Sequence, residues 1–115
     1  MYIDTHAHVN FKVFKDDADE VIKRALDDGV WMILVGSDYK TSKRALELAN
    51  KYDKGVYAAI GLHPIHTHES EAKGEDYRFK THSEEFVYDI YEKLAKFQKV
   101  VAMGEIGLDY YHINN

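Results

Sequence analysis

An alternation of short apolar runs with helix-spaced apolar patterns constrains the fold of this chain more than any other feature. Apolar runs at residues 2–5, 30–35, 56–60 and 100–103 predict four strands. Between the runs, apolar residues recur every three or four positions, which predicts three amphipathic helices. The order β, α, β, α, β, α, β predicts βαβ units, and hence an α/β fold with four parallel strands and helices packed outside the sheet.

Boundary signals place the three helices. Their apolar faces contain Ala18, Val21, Ile22, Ala25 and Leu26 in the first, Ala45, Leu48, Ala49 and Tyr52 in the second, and Val87, Ile90, Tyr91 and Leu94 in the third. The boundary residues are Gly29 as an αL cap after the first helix, Thr41 or Ser42 as the cap of the second, Gly55 at its end, and the capping-box pair Thr81 and Glu84 before the third. The polar stretch at residues 62–80 predicts a long loop.

The chain of 115 residues is expected to form a single domain at most. Two architectures fit its periodicity, an open doubly wound sheet and a (β/α)₈ barrel. A barrel typically takes about 250 residues, so residues 1–115 would supply about half of one. Periodicity alone does not choose between the two architectures.

Composition excludes several classes of function. Because the chain has no cysteine, it has no disulfide, thiolate nucleophile or zinc finger, and His, Asp or Glu must hold any metal. The formal charge of -5 argues against an architectural DNA-binding protein. No apolar run approaches the roughly 18 residues of a membrane span, and no signal-peptide pattern is present, so a cytoplasmic location is expected.

Basic residues are concentrated after the first three strands. Residues 10–17, 36–44 and 62–82 contain 8 basic and 7 acidic residues, although the chain as a whole is acidic. The basic residues are Lys12, Lys15, Lys40, Lys43, Arg44, Lys73, Arg78 and Lys80. They form either an edge that tolerates phosphate or an ordinary solvated surface.

Two histidines stand at the end of the first strand, in the segment Asp4-Thr5-His6-Ala7-His8. Alternate residues of a strand share a face, so Asp4, His6 and His8 are expected to point the same way if the extended conformation continues. Two imidazoles would then converge on one point and bind a transition metal, with Asp4 orienting a ring or completing the shell. The alternative is a pair of surface histidines.

Further candidate residues follow the third and fourth strands. Glu105 stands at the carboxyl edge of the fourth strand, where α/β folds place their sites, and a divalent ion is one way to compensate its charge. The alternative is that Glu105 pairs with a lysine or caps a turn. His63 follows the third strand and either contacts an anionic substrate or is solvated. An accessory metal site at His66, His68 and His82 is a further hypothesis, and solvated loop histidines are the alternative.

Three segments carry a resemblance to a known family. Residues 4–8 (Asp-Thr-His-Ala-His), 59–64 (Ala-Ile-Gly-Leu-His-Pro) and 104–111 (Gly-Glu-Ile-Gly-Leu-Asp-Tyr-Tyr) resemble the TatD family of metal-dependent deoxyribonucleases. The matches occur in order at strand ends and cover essentially the whole chain. The resemblance implies a TIM-barrel hydrolase with a divalent metal centre, of which residues 1–115 are the N-terminal part with four strands and three helices.

The resemblance also implies roles for individual residues. These are His6 and His8 as ligands of the first metal, Glu105 as the catalytic residue that contacts or bridges the metals, His63 beside the substrate phosphate, and Asp4 and Asp109 as supporting residues. Members of the family carry further ligands on strands that would follow Asn115. The chain is therefore expected to associate with a missing C-terminal half or with a second copy of itself.

Hydrolysis of phosphodiester bonds in DNA, with Mg²⁺, Mn²⁺ or Zn²⁺, is the function that the resemblance implies. A PHP-type phosphoesterase, which also opens with paired histidines on a strand, is the alternative within the same chemistry, although residues 104–109 favour TatD. A catalytically inactive metal-binding fragment is the alternative from a different class. Metal binding without turnover would distinguish that fragment from both enzymes.

Overall fold

The computed structural model describes residues 1–67, 71–73, 78–80 and 83–111. Its elements are β1 (Tyr2–Ala7), a 3₁₀ turn (Lys12–Phe14), α1 (Ala18–Asp27), β2 (Val30–Val35), α2 (Tyr39–Ala49), β3 (Val56–Ile60), a second 3₁₀ turn (Pro64–Thr67), β4 (Glu71–Lys73), β5 (Arg78–Lys80), α3 (Tyr88–Ala95) and β6 (Val100–Met103). The four strands predicted from the apolar runs are β1, β2, β3 and β6. Their positions are confirmed, and β1 extends two residues further than the sequence predicted.

The main sheet is parallel, and its strand order follows the sequence. The order is β1-β2-β3-β6, so each strand lies beside the one that precedes it in this sheet. A doubly wound sheet reverses its strand order at a switch point, whereas a barrel adds each new strand on the same side. The observed order is therefore that of a partial (β/α) barrel, as the resemblance implied.

One face of this sheet is covered by the helices. Met32 and Leu34 of β2 and Ala58 and Ile60 of β3 are buried at alternate positions along their strands. They share one core with the helices, which contribute Ala18 and Ile22 from α1, Ala45, Leu46, Leu48 and Ala49 from α2, and Tyr91 and Leu94 from α3. Burying each large aliphatic side chain contributes about 1.5–3 kcal/mol. The helices thus hold the sheet from one side, as on the outside of a barrel.

The opposite face and the two edges of the sheet are accessible. Trp31, Ile33 and Tyr57 occupy the alternate positions and are only half-buried. β1 and β6 are the edge strands, and Ile3 and Val101 in them are 52% and 51% exposed. Unpaired backbone groups flanked by apolar side chains favour pairing with another strand. This exposure is what half a barrel leaves uncovered.

The start of α2 differs from the sequence prediction. Asp38, rather than Thr41 or Ser42, is the N-cap, and its carboxylate accepts a hydrogen bond from the Thr41 backbone N–H at 2.7 Å. The Thr41 hydroxyl oxygen accepts the Asp38 backbone N–H at 3.0 Å, which completes a capping box. The prediction of Thr41 or Ser42 as the N-cap was wrong. In a capping box, threonine also occurs at the third helical position, so its presence near a helix start does not identify the cap.

Two glycines near the helix ends have positive φ. Gly29 follows α1 with a φ of 75°, which confirms the predicted αL cap. Gly55 was predicted to mark the end of α2, but the helix already ends at Ala49. With a φ of 87°, Gly55 instead forms the turn that enters β3.

The start of α3 was also predicted wrongly. The helix begins at Tyr88, seven positions after Thr81, which lies outside the described residues. Glu84 does not cap α3; its carboxylate accepts hydrogen bonds from the Tyr39 backbone N–H at 3.0 Å and from the Tyr91 hydroxyl at 3.3 Å. Glu84 therefore stabilises the start of α2, a contact between distant residues that local spacing does not reveal.

The polar stretch predicted as a loop contains regular structure. Its described parts include the second 3₁₀ turn and a small antiparallel sheet formed by β4 and β5. The strand pairing was missed because these strands have only three residues each, too few to show a period of two.

Among the described helices, none has the length and apolar character needed to cross a membrane.

Candidate metal centre

The C-terminal end of β1 brings His6 and His8 together. The two Nε2 atoms lie 3.2 Å apart, and the rings meet edge to face with their centroids 4.9 Å apart. The pairing of β1 with β2 shifts register between Asp4 and Ala7, so the strand departs from regular alternation here. The backbone N–H of His6 donates to Asp4 Oδ1 at 3.0 Å, so the Asp4 carboxylate supports the strand end beneath the imidazoles.

Backbone hydrogen bonds hold Glu105 at the end of β6. The Gly104 N–H donates to the Ile60 carbonyl oxygen at 2.8 Å, and the Glu105 N–H donates to the Gly36 carbonyl oxygen at 2.9 Å. The peptide bond between Gly104 and Glu105 is cis. These bonds tie the segment after β6 to the ends of β3 and β2, so the position of Glu105 is set by the whole sheet edge.

Close approach of two chain segments makes glycine necessary at position 61. A Cβ atom on Gly61 would lie 2.6 Å from the Glu105 carbonyl oxygen and 2.7 Å from the Gly104 carbonyl carbon. Real Cβ atoms do not come this near to backbone atoms, so any side chain would displace the segment that carries Glu105. The missing side chain of Gly61 therefore allows Glu105 to reach the histidines.

Three ligand atoms converge at this edge of the sheet. Glu105 Oε1 lies 3.1 Å from His6 Nε2, and one ligand atom from each of His6, His8 and Glu105 lies within 4.8 Å of the others. Atoms that bind one divalent ion at about 2.0–2.2 Å are themselves roughly 3.0–3.5 Å apart. Two imidazole nitrogens with one carboxylate oxygen suit Zn²⁺ and related divalent ions. This is the one such cluster that the described residues contain.

A hydrogen bond orients the His8 ring. His8 Nδ1 lies 3.0 Å from the Val35 carbonyl oxygen, and because a carbonyl only accepts, Nδ1 carries the proton. In neutral His8 the lone pair is then on Nε2, the atom that faces His6. The Phe11 ring packs against the imidazole with centroids 4.2 Å apart, which fixes its plane. Such outer contacts preset a histidine for metal binding.

Asn10 is a residue of this site that the sequence analysis missed. It is buried, with 4% exposure, and its Nδ2 donates to the Val35 carbonyl oxygen at 3.0 Å and to the Thr41 carbonyl oxygen at 2.9 Å. Val35 thus accepts from both His8 and Asn10. The signal was present in the sequence, because Asn10 continues the alternation of Asp4, His6 and His8, but the Asn10 side chain is not ionisable.

A groove beside the cluster contains the other candidate residues. It has a volume of about 620 Å³ and is lined by His63, Pro64 and residues 103–111, which include Glu105 and Asp109. His63 Nδ1 accepts the Ile65 backbone N–H at 3.0 Å, so the proton of the neutral ring is on Nε2. Asp109 Oδ1 accepts the Tyr111 N–H at 2.9 Å. His63 and Asp109 therefore lie in the groove next to the three converging ligands rather than among them.

The accessory histidine site is not formed by the residues that the structure describes. His66 is buried, and its Nε2 lies 3.4 Å from the Ser37 hydroxyl. His68 and His82 lie outside the described residues. Among the basic residues of this edge, Lys12, Lys40 and Lys43 are exposed. The side chains of Lys73, Arg78 and Lys80 lie outside the described part.

Shifted pKa values occur on the helix side of the sheet, away from His6, His8 and Glu105. A hydrogen bond from Lys51, with a second from Tyr52, lowers the pKa of Asp19. Burial, together with the bond to Asp19, raises the pKa of Tyr52 to about 12. Burial and the nearby Glu84 carboxylate raise the pKa of Tyr91. These shifts reflect burial and the contacts that α1 and α3 make with residues after α2 and before α3, which makes them structural.

Comparison with known proteins places these observations in one family. Residues 3–115 match the family model described as TatD related DNase. The chain is 40% identical over 112 residues to the uncharacterized metal-dependent hydrolase YabD of Bacillus subtilis, with 96% of this chain and 38% of that protein covered. It is 34% identical over 109 residues to an uncharacterized metal-dependent hydrolase of Methanocaldococcus jannaschii, with 94% and 38% covered.

A third relative carries a more specific name. The chain is 35% identical over 98 residues to the 3'-5' ssDNA/RNA exonuclease TatD of Erwinia tasmaniensis, with 84% of this chain and 33% of that protein covered. The chain thus spans between 33% and 38% of the length of these three curated relatives.

Proposed function

Because this chain belongs to the TatD-related DNase family, we propose that it carries the metal-binding part of a hydrolase that cleaves phosphodiester bonds in DNA. Residues 1–115 form the N-terminal part of the hydrolase barrel in this proposal. The observation that supports it best is the convergence of His6, His8 and Glu105, whose ligand atoms lie within 4.8 Å of one another.

His6, His8 and Glu105 hold the divalent ion in this proposal. His6 and His8 offer Nε2, and Glu105 offers a carboxylate oxygen that both contacts the ion and offsets its charge. A bound divalent ion would lower the pKa of a coordinated water and stabilise charge on the phosphate oxygens. Three protein ligands leave coordination positions for water and substrate, as in catalytic metal sites generally.

His63 binds the substrate phosphate in this proposal. Because its Nδ1 accepts the Ile65 N–H, the neutral ring has a donor at Nε2, which suits a phosphate oxygen. His63 and Glu105 line the same groove, so one phosphate can contact both the histidine and the ion held by Glu105. Asp4 and Asp109 act as supports: Asp4 holds the backbone of His6, and Asp109 holds the turn at Tyr111.

Cleavage of fluorescently labelled single-stranded DNA tests this function. The protein is incubated with Mg²⁺ or Mn²⁺ at a known oligomeric mass, beside the His6→Ala, Glu105→Ala double variant and a matched control at an exposed α3 glutamate, Glu92→Gln. We expect metal-dependent cleavage by the wild type and the control, and at least a 100-fold lower rate for the double variant, because metal and bound water are lost together.

Two results would count against the proposal. Equal cleavage by the double variant would show that His6 and Glu105 do not form the site. Metal binding without cleavage would favour an inactive metal-binding fragment. A parallel assay with single-stranded RNA of the same sequence tests whether DNA is preferred, since one relative is named for both nucleic acids.

A further inference from the structure

We propose that a second, mainly apolar cleft beside His8 binds the nucleobase of a nucleotide adjacent to the cleaved phosphate. The cleft has a volume of about 670 Å³ and lies between the segment after β1 and the start of α2. This inference rests on the proposed function, because it assigns the cleft to the same nucleic-acid substrate. The substrate would then occupy two places, this cleft with a base and the groove that contains His63 and Glu105 with a phosphate.

Aromatic and aliphatic side chains form one wall of the cleft. Phe11 and Phe14 line it, and Val13 between them is 81% exposed. The Phe11 ring already packs against His8 at an interplanar angle of 30°, so a base in the cleft would stack on the part of the Phe11 ring that His8 leaves uncovered. Aromatic side chains that line a strand-binding groove stack on bases with little regard to sequence, because every base has a π-face.

Hydroxyl and imidazole groups form the opposite wall. Ser37 Oγ lies 3.5 Å from Thr41 Oγ1 and 3.4 Å from His66 Nε2, both at the long end of hydrogen-bond distances. The Ser37 hydroxyl can therefore turn toward the edge of a base without losing a strong bond. The Asp38 carboxylate in this wall accepts hydrogen bonds from Thr41 N at 2.7 Å and Oγ1 at 2.6 Å, which balances its charge at the helix start.

Continuity with the metal cluster selects a nucleotide as the occupant. His8 lines the cleft, and its Nε2 belongs to the converging ligand set. Only the His8 side chain thus separates a base in the cleft from a phosphate bound at the His6, His8 and Glu105 ligands. The sugar of a nucleotide spans such a distance. Exposed Lys12 also lines the cleft and supplies a positive charge for the adjacent phosphate. The volume falls within the range of about 300–1,000 Å³ typical of small-ligand pockets.

Fluorescence of 2-aminopurine tests base binding separately from cleavage. A short single-stranded oligonucleotide carrying one 2-aminopurine is titrated with the full chain in EDTA, so that no metal-dependent turnover occurs. We expect quenching on binding, and binding weakened roughly 5- to 100-fold by Phe11→Ala, because base stacking is lost. An oligonucleotide with an abasic site at the same position is expected to bind more weakly by a similar factor.

A second pair of variants guards against a folding defect in Phe11→Ala. Val13→Glu places a charge in the cleft at a highly exposed position, and Val87→Glu places the same charge at an exposed valine before α3. Only Val13→Glu is expected to weaken binding and quenching. Equal affinity for normal and abasic oligonucleotides, or equal effects of the two valine variants, would overturn the inference.

The outcomes separate this inference from the proposed function. Metal-dependent cleavage at equal rates for normal and abasic strands would keep the function and reject the base site. Quenching that depends on Phe11 and Val13, without cleavage in any metal, would support the base site and reject the function.

Discussion

His6 Nε2 and Glu105 Oε1 lie 3.1 Å apart although β1 and β6 are the opposite edges of the four-stranded sheet. In a flat sheet these strands would be about 14 Å apart, because neighbouring strands are separated by about 4.8 Å. The contact arises because the segment after β6 crosses the end of β3: the Glu105 N–H donates to the carbonyl oxygen of Gly36, which directly follows β2, the neighbour of β1. This crossing of the strand ends assembles the site.

Gly61→Ala tests whether the close packing at the sheet edge positions Glu105. The new Cβ would collide with the backbone of residues 104 and 105, so we expect Glu105 to move and metal affinity to fall at least tenfold. Isothermal titration with Mn²⁺ or Zn²⁺ measures the affinity. Gly29→Ala is the matched control: its Cβ meets nothing within 4 Å, but its φ of 75° is unfavourable by about 1–2 kcal/mol. A destabilised Gly29→Ala with unchanged affinity supports the prediction, and equal loss of affinity in both variants contradicts it.

Asn10→Ala tests the indirect support of His8. Without Nδ2, Val35 and Thr41 each lose a hydrogen bond, and the segment that holds His8 loosens. We expect metal affinity to fall about 10- to 100-fold, the usual effect of changing a group that orients a metal ligand. Metal titration at a temperature well below the unfolding midpoint measures this. The prediction fails if the variant binds metal as tightly as wild type.

Ser42→Ala tests a buried hydroxyl that links α2 to the end of β3. Ser42 Oγ donates to the Gly61 carbonyl oxygen and accepts the Gly61 N–H, each at 3.1 Å, and the residue is fully buried. Losing both bonds should lower the free energy of unfolding by about 1–3 kcal/mol. Urea unfolding measures this change. Thr67→Ala, which removes an exposed hydroxyl bonded to the Pro64 carbonyl, serves as the control and should change stability little.

The contact of Asp19 with Lys51 and Tyr52 predicts a pH dependence of stability. The pKa of Asp19 is lower in the folded state, so its contribution to stability is fully present above the ordinary aspartate pKa of 3.8 and is lost as pH falls through the folded pKa. Asp19→Asn should therefore unfold more easily than wild type at pH 7, and the difference between the two proteins should be smaller at pH 2. Thermal unfolding at both pH values measures the difference, and an equal difference at both would contradict the assignment.

The exposed edge strands predict association. Apolar side chains in β1 and β6 flank unpaired backbone groups, so we expect light scattering to give a mass above that of one chain at about 100 μM protein. Ile3→Lys and Val101→Lys place charges at the two edges and should reduce that mass. A mass of one chain for the wild type, together with cooperative unfolding, would refute the prediction.

Patterns between residues close in the chain predicted the strands and the positions of His6, His8 and Glu105 at strand ends. Burial on one or both faces produces those patterns, so β2, β3 and β6 were predicted with their correct bounds. Helix starts were predicted less well. Thr41, at the third helical position of α2 rather than at its cap, accepts a backbone N–H, and Glu84 accepts a backbone N–H at the start of α2 rather than at the start of α3.

The sequence by itself determined the α/β class, the candidate metal ligands and, through its three motifs, the TatD family. Only the tertiary structure decided that the strands run in barrel order, that His6 and Glu105 meet across the sheet, and that Asn10 supports His8 through Val35. The physical reason is that sequence periodicity reports which face of an element is buried. Contacts between elements depend on how segments cross the edge of the sheet and on close backbone approaches such as that at Gly61, which no local pattern encodes.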